Sequence, residues 1–247
     1  MSIKKSLLFI LLSLGSGALT AGNAHWGYSG HGDPSHWANL APDFATCGSG
    51  KSQSPIDIQD VKISTDTPPI KFNYKLTRLN VVNNGHTIQV NVEKGSSITV
   101  GAKTYQLLQF HFHSPSEHTI GGKPQDMVAH LVHKADDGQL AVIAVLMNKG
   151  ADNPIVQKVW LNLPKGQQAK KTDVTINVKD LLPANMAYFN YTGSLTTPPC
   201  SEGVNWMVLV NPVQVGGAQI ATFTKMFPAS VRPVQPGNGR ATTLAIH

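Results

Sequence analysis

Short runs in which apolar and polar residues alternate dominate the chain from about residue 70 to residue 182. Alternation with a period of two is typical of β-strands with two unlike faces. The predicted strands are residues 79–82, 87–92, 97–100, 107–113, 127–133 and 140–147, with a further strand at 204–210. Asn83-Asn84-Gly85 and Glu93-Lys94-Gly95 are turn sequences of the kind that join hairpin strands.

Helical patterns are few and short. Residues 153–161 and 217–226 are the best helix candidates, and residues 188–200 are predicted to form a loop. No helix recurs between the strands to build parallel βαβ units. The fold class is therefore predicted to be mainly β (α+β): one domain with a large, twisted, mostly antiparallel central sheet and a few short peripheral helices.

The first residues have the composition of a secretory signal peptide. Two lysines precede a short apolar run, which is followed by small residues. The run is well short of the roughly 20 residues that a membrane-spanning helix needs. We predict a signal peptide over residues 1–21, with cleavage as late as residue 24, and a single mature domain over residues 22–247. The protein is then exported, to the periplasm or beyond it.

The charge and the cysteines fit this compartment. The formal net charge is +6, of which Lys4 and Lys5 contribute two, leaving +4 on the mature chain. Basic residues are scattered rather than clustered, so neither a nucleic acid nor a membrane is predicted as a partner. The two cysteines, Cys47 and Cys200, are most simply one disulfide in an exported chain.

Histidines are concentrated between residues 106 and 133, which hold five of the ten in the chain. Phe110 and Phe112 alternate with His111 and His113, so both imidazoles point to the strand face opposite the phenylalanines. Neutral imidazole is a good ligand for zinc and similar ions. The pair therefore predicts a metal site with a third ligand elsewhere.

The pattern alone leaves the third ligand open. His130 and His133 are both on the next predicted strand, and residues three apart on a strand face opposite sides, so only one of them can join the pair. Strand parity does not choose between them, and it does not exclude His118.

A series of short motifs resembles the α-class carbonic anhydrases of the exported bacterial type. The resemblance covers essentially the whole mature chain, and the motifs occur in the order of that family. They are residues 26–28, 53–58, 83–86, 109–113, 116–118, 130–133, 193–199, 202–206 and 232–236. Each motif is weak alone, but the ordered set is specific.

The resemblance implies a zinc-dependent lyase that interconverts carbon dioxide and bicarbonate. It implies that His111, His113 and His130 bind Zn²⁺ and leave one tetrahedral position open for water. Zinc lowers the pKa of that water to about 7, the value established for carbonic anhydrase itself, so that zinc hydroxide attacks carbon dioxide. Anions and sulfonamides are implied as inhibitors, and a homodimer is possible for a bacterial member.

Further roles carry over from the family by motif. Thr196 would accept a hydrogen bond from the zinc hydroxide and donate one to Glu117, and His86 would shuttle protons. The remaining implied residues are Tyr28, Asn84 and Gln89 on the proton path, Thr197 at the bicarbonate site, and Val132, Val142, Leu195 and Val204 around carbon dioxide. Cys47 and Cys200 match the disulfide of exported members, which would pin the loop that carries Thr196.

One position departs from the family pattern. Gln109 matches the partner of His111, but Val128 stands where the family usually has a glutamate that pairs with His130. Valine cannot accept the proton of the ring, which we assign at this point to Nδ1, so we expect weaker zinc retention. The alternative function is a carbonic anhydrase-like binding domain without catalysis. A zinc-storage or adhesion protein is a further rival.

Overall fold

The computed structural model describes residues 25–228 and 230–246, so the predicted signal peptide lies outside the described residues. The strands are β1 (Asp57–Ile58), β2 (Lys62–Ser64), β3 (Ile70–Asn73), β4 (Leu76–Asn83), β5 (Ile88–Asn91), β6 (Ser97–Val100), β7 (Lys103–His113), β8 (Thr119–Ile120), β9 (Lys123–Pro124), β10 (Met127–Lys134), β11 (Leu140–Gly150), β12 (Ala169–Asn177), β13 (Tyr188–Ser194), β14 (Glu202–Leu209), β15 (Val213–Gly216) and β16 (Thr243–Ala245). The helices are α1 (Trp37–Leu40), α2 (Thr46–Ser49), α3 (Pro154–Trp160) and α4 (Gly217–Met226), with 3₁₀ turns at Gly30–Gly32, Pro42–Phe44 and Val178–Leu181.

One large sheet organises the domain. Its strands follow the order β12-β4-β5-β7-β10-β11-β14-β13-β16-β2, and β3, β6 and β15 attach to this path. Most neighbours are antiparallel, as predicted, but β11 pairs in parallel with β14 and β15, and β16 with β2. Parallel neighbours need a long crossover connection. The chain between β11 and β14 supplies one, since it contains α3, β12 and β13.

The predicted loop over residues 188–200 is wrong in its first half. Residues Tyr188–Ser194 form β13, which pairs with β14 on one side and β16 on the other. Tyr188, Phe189 and Tyr191 are buried, and aromatic residues favour a half-buried strand surface. Gly193 lies within β13, and Pro198 and Pro199 belong to the true loop, which begins after Ser194.

Both predicted helices are present, and each begins and ends within one residue of its predicted bounds. The side chain of Asn153 accepts hydrogen bonds from the backbone N–H groups of Ile155 and Val156, which caps α3 at its start. Gln219 of α4 accepts from the backbone N–H of Gly216 in the same way. No helix among residues 25–228 and 230–246 is long and apolar enough to cross a membrane.

The sheet separates two apolar clusters. Along β10, Ala129 and Leu131 pack into the larger cluster, whereas Val128 belongs to the smaller cluster on the opposite face. Phe110 and Phe112 of β7 also lie in the larger cluster, with no exposed surface. Burying each of them contributes roughly 1.5–3 kcal/mol. A slip of one residue would expose both, so their burial holds the register that turns the intervening histidines to the other face.

Candidate metal centre

Three imidazoles converge on the face of the sheet opposite the phenylalanines. His111 and His113 come from β7, and His130 of β10 lies directly across from His111. One ring nitrogen of each lies within 4.8 Å of the others. In the described part of the chain, no other set of three His, Cys, Asp or Glu side chains converges in this way. The cross-strand register therefore selects His130, and not His118 or His133, as the third member.

Hydrogen bonds fix the tautomers of two of these rings. His111 Nδ1 lies 2.8 Å from Gln109 Oε1, and His113 Nδ1 lies 2.5 Å from the carbonyl oxygen of Ser230. Because both partners accept, each Nδ1 carries the proton and each Nε2 is left free for a metal. Burial, reinforced by neighbouring His113, holds the pKa of His111 well below 6.5, so the ring stays neutral. Gln109 has its expected place. The Ser230 carbonyl has no side-chain signal in the sequence.

The His130 ring is turned so that its Nδ1, rather than its Nε2, lies towards Glu117. Its Nδ1 lies 3.8 Å from Glu117 Oε2, and the metal-facing Nε2 of His113 lies 3.6 Å from the same oxygen. His130 Nε2 is buried and has no hydrogen-bond partner among the described residues. The assignment of the unpaired proton to Nδ1 is therefore wrong: Nδ1 faces the site and Nε2 faces away. The ring orientation is set by packing against Trp206, with the ring centroids 5.0 Å apart, which no sequence pattern reveals.

Glu117 is buried beside the three histidines. Its Oε1 accepts the backbone N–H of Arg232 at 2.9 Å, whereas Oε2 has no hydrogen-bond partner in the described chain. The hydrogen bond from Thr196 to Glu117 that the family resemblance implies is not formed in the structure, and the role of Thr196 stays a prediction. The Arg232 guanidinium is itself anchored by Gln53 and by backbone carbonyls. Sequence reasoning missed this support, although Arg232 lies in one of the matching motifs.

The loop after β13 carries both threonines. Cys200 ends this loop and forms the predicted disulfide with Cys47 of α2. Its backbone N–H donates to the carbonyl oxygen of Thr197 at 2.9 Å. Thr196 is buried, with 5% of its surface exposed. The disulfide therefore ties the threonine loop to the N-terminal segment, as expected.

The four residues predicted to surround carbon dioxide come together in the smaller apolar cluster. Val142 and Val204 are core members, and Val132 and Leu195 pack against them. Val132 pairs across β10 and β11 with Val142, and it projects from the same face of β10 as His130. An apolar wall thus adjoins the three histidines.

His86 lies in a separate cavity of about 440 Å³. Tyr28 and Asn84 line the same cavity, but the three converging histidines do not. The His86 ring stacks on Trp26, with centroids 3.7 Å apart and planes 8° apart. Burial, followed by the neighbouring charge of His25, lowers the pKa of His86. Three of the predicted proton-path residues are therefore neighbours.

The other predicted residue of the proton path lies nearer the metal site. Gln89 of β5 is directly opposite His111 in the sheet, and its Nε2 donates to Asn91 Oδ1 at 2.6 Å. Asn84 has a local task as well, since its Oδ1 accepts the backbone N–H groups of His86 and Thr87. Asn84 thereby closes the turn that presents His86.

His133 lies on the opposite face of β10 from the metal site. Its Nε2 is 2.8 Å from the hydroxyl of Tyr74, and the side chain is fully buried. Burial lowers the pKa of His133 from 6.5 to about 3. Below pH 6.5 the unfolded chain binds a proton at this position that the folded chain does not. The free energy of unfolding must therefore fall as the pH falls from 6.5 towards 3.

We expect this residue to destabilise the fold by about 2 kcal/mol between about pH 6.5 and pH 5, at 1.36 kcal/mol per pH unit. Urea unfolding of zinc-free protein at both pH values, with the His133→Gln variant as control, measures the effect. The variant should lose less stability than the parent by that amount. Equal losses in the two proteins would show that His133 does not contribute.

A single large sheet carries three converging histidines that could hold one metal ion, beside a buried glutamate and an apolar wall. The model of the eukaryotic-type carbonic anhydrase family matches residues 32–244. The chain therefore belongs to the carbonic anhydrase family, in its α class, and is an enzyme of that kind.

Individual relatives support this assignment. A carbonic anhydrase of Nostoc sp. is 46% identical over 232 residues, which cover 92% of this chain and 88% of the relative. A carbonic anhydrase of Pectobacterium carotovorum is 42% identical over 96% of this chain and 97% of its own length. The solved α-carbonic anhydrase of Thermovibrio ammonificans, in complex with the inhibitor sulfanilamide, superposes with a TM-score of 0.87 at 43% identity, covering 90% of this chain and 100% of that chain.

Proposed function

We propose that this protein is an exported zinc enzyme that catalyses the reversible hydration of carbon dioxide to bicarbonate and a proton. The observation that carries the proposal is the convergence of His111, His113 and His130 within 4.8 Å beside the buried Glu117. The disulfide between Cys47 and Cys200 supports export, because disulfides persist in oxidising compartments such as the periplasm.

The donor set fits zinc. Three neutral imidazoles suit this ion, and they leave one tetrahedral position open, which is typical of catalytic rather than structural sites. The buried, unpartnered Nε2 of His113 is the kind of atom that a metal would satisfy. When bound, zinc lowers the pKa of a water in the open position to about 7, the value established for carbonic anhydrase.

The protein's own residues would orient the ligand rings and the nucleophile. Gln109 and the Ser230 carbonyl hold two ligand rings in the required tautomer. Thr196 and Glu117 would hold the proton of the nucleophile so that a lone pair faces the substrate. Thr197 would lie beside the bicarbonate product. In this arrangement the threonine loop would orient the nucleophile and would not remove its proton.

The apolar wall would receive carbon dioxide. The substrate carries no net charge, so Val142 and Val204, each 2% exposed, suit it better than they suit bicarbonate. The same apolar surface would then favour release of the product, because bicarbonate is charged. Anions and sulfonamides would inhibit by occupying the open metal position, in keeping with the sulfanilamide complex of the Thermovibrio ammonificans relative.

Carbon dioxide hydration by the purified protein tests the proposal. We expect hydration activity that is lost on treatment with a zinc chelator and restored by added zinc, because the metal generates the nucleophile. The control is the same protein taken through the same buffer exchange without chelator, so that it keeps its zinc. Zinc-loaded protein that does not hydrate carbon dioxide would instead favour the binding-domain or zinc-storage alternatives.

His86 is proposed to carry protons between the metal site and bulk solvent. We expect His86→Ala to lower kcat about tenfold in weak buffer. This is less than the ~100-fold of a full loss of acid–base catalysis, because water and buffer also carry protons. Added imidazole should restore the rate.

The matched control is His31→Ala, which removes an exposed histidine that does not line the His86 cavity. Its kcat should equal that of the parent at every buffer concentration. A His86→Ala enzyme with unchanged kcat in weak buffer would contradict the shuttle role.

A further inference from the structure

Two neighbouring histidine rings beside the candidate metal centre each carry a buried nitrogen without a partner among the described residues. His118 Nδ1 and His130 Nε2 both lack a hydrogen-bond partner in the described part of the chain. The two ring centroids are 6.2 Å apart, with the planes at 76°. Both rings also contact Trp206, at centroid distances of 4.7 and 5.0 Å. Buried polar atoms are nearly always paired, so two unpaired atoms on neighbouring rings point to a shared cause.

The hydrogen-bond chain behind His118 determines where its proton lies. Ser54 Oγ accepts the backbone N–H of Ser194 at 3.0 Å and lies 2.8 Å from the Tyr191 hydroxyl. Among the described residues the Ser54 hydroxyl has no acceptor other than Tyr191, so it donates to Tyr191, which then donates to His118 Nε2 at 2.6 Å. A ring nitrogen that accepts a hydrogen bond carries no proton. The single ring proton is therefore on Nδ1.

The proton of His130 is assigned to the nitrogen that does not contact Glu117. His130 Nδ1 and His113 Nε2 lie 3.8 and 3.6 Å from the same Glu117 oxygen, so the His130 ring would bind the metal through Nδ1, and Nε2 would carry the proton. Both unpaired atoms are thus donors. No described residue accepts from either nitrogen, and Val128, on the same face of β10 as His130, packs in one apolar cluster with Tyr191 and Trp206.

We propose that Nδ1–H of His118 and Nε2–H of His130 form a binding position for one single-atom hydrogen-bond acceptor beside Val128. A water oxygen or a halide ion has this chemistry, since each can accept from two donors at once. The bound acceptor makes His118 a positioning residue for the metal ligand His130. It takes the place of the side-chain acceptor that Val128 cannot provide.

A crystal structure of the zinc-loaded protein tests the position directly. We expect one density peak within hydrogen-bond distance of both nitrogens, at roughly 2.7–3.2 Å. Crystals soaked in bromide identify the occupant: an anomalous peak at this position indicates a halide, and an unchanged peak without anomalous signal indicates water. Both results support the position. No density between the two rings would overturn it.

Nitrogen NMR of histidine-labelled protein gives an independent readout. We expect His118 as the Nδ1–H tautomer and His130 as the Nε2–H tautomer, each with a slowly exchanging ring proton. A different tautomer at either ring would overturn the proposal. Val128→Ala should leave both signals in place, whereas Val128→Leu, which fills the position with an apolar group, should shift both ring protons and weaken zinc retention about tenfold.

Only the part of the inference that concerns His130 rests on the proposed zinc site. Ser54 and Tyr191 set the tautomer of His118 whether or not a metal is bound. If the protein bound no zinc, the signal of His130 would change while that of His118 persisted. If zinc and activity were present but the density and the tautomers were absent, the acceptor position alone would be refuted.

Discussion

Replacing His130 with alanine is expected to abolish tight zinc binding and, with it, carbon dioxide hydration. His130 supplies one of the three converging nitrogens, so alanine at this position leaves only two imidazoles to hold the metal. Even the loss of a group that only orients a ligand costs 10–100-fold in metal affinity or activity. Removing the ligand itself should therefore lower both the zinc affinity and kcat/KM by more than about 100-fold.

Chelator competition and carbon dioxide hydration measure the two effects. The matched control is His133→Gln, which alters a buried histidine on the same strand but on the opposite face of the sheet. At neutral pH the control should keep both zinc and activity. A His130→Ala protein that retains parental zinc affinity would show that the metal, if bound, lies elsewhere, and the proposed site would be wrong.

Replacing Val128 with glutamate is expected to tighten zinc binding about 10–100-fold, the range measured for groups that orient metal ligands. A carboxylate at this position could accept the Nε2–H of His130 and the Nδ1–H of His118. Each is a buried donor without a partner in the described residues. Pairing Nε2–H makes Nδ1 a stronger electron donor and fixes the ring towards the metal. The added negative charge should also make the bound water slightly less acidic.

Graded chelator competition on the two proteins gives the ratio of zinc dissociation constants. Val128→Leu is the matched control, because its side chain is larger than valine but still offers no acceptor. It should hold zinc no more tightly than the parent. A Val128→Glu protein with parental affinity would mean that the unpaired Nε2 of His130 does not limit zinc retention.

Periodicity alone predicted most of the sheet and two of the three converging histidines. The alternation of Phe110 and Phe112 with His111 and His113 fixed the two faces of β7, because successive side chains on a strand point to opposite sides. The same rule predicted that only one of His130 and His133 can join this pair of histidines. The loop predicted over residues 188–200 was wrong in its first half, because Gly193 and the two prolines that follow obscured an aromatic strand in which Gly193 itself lies.

The roles of Thr196, Thr197, Glu117 and His86 came from the family resemblance rather than from local pattern. The structure buries Glu117 beside His113 and His130. It groups His86 with Tyr28 and Asn84. A carboxylate or a hydroxyl in a loop has no periodic signal, so its task depends on which distant residues it meets in the fold.

The sequence by itself determined that two histidines share one face of a strand and that β-strands dominate. These are local facts, set by the spacing and chemistry of nearby residues. The family resemblance added that Val128 stands where the partner of His130 is expected. Strand parity left the third histidine open, and the tertiary structure brings His130, as the resemblance implied, to the other two and turns its Nδ1 towards Glu117. Both depend on register and on packing against Trp206, which join segments far apart in the chain.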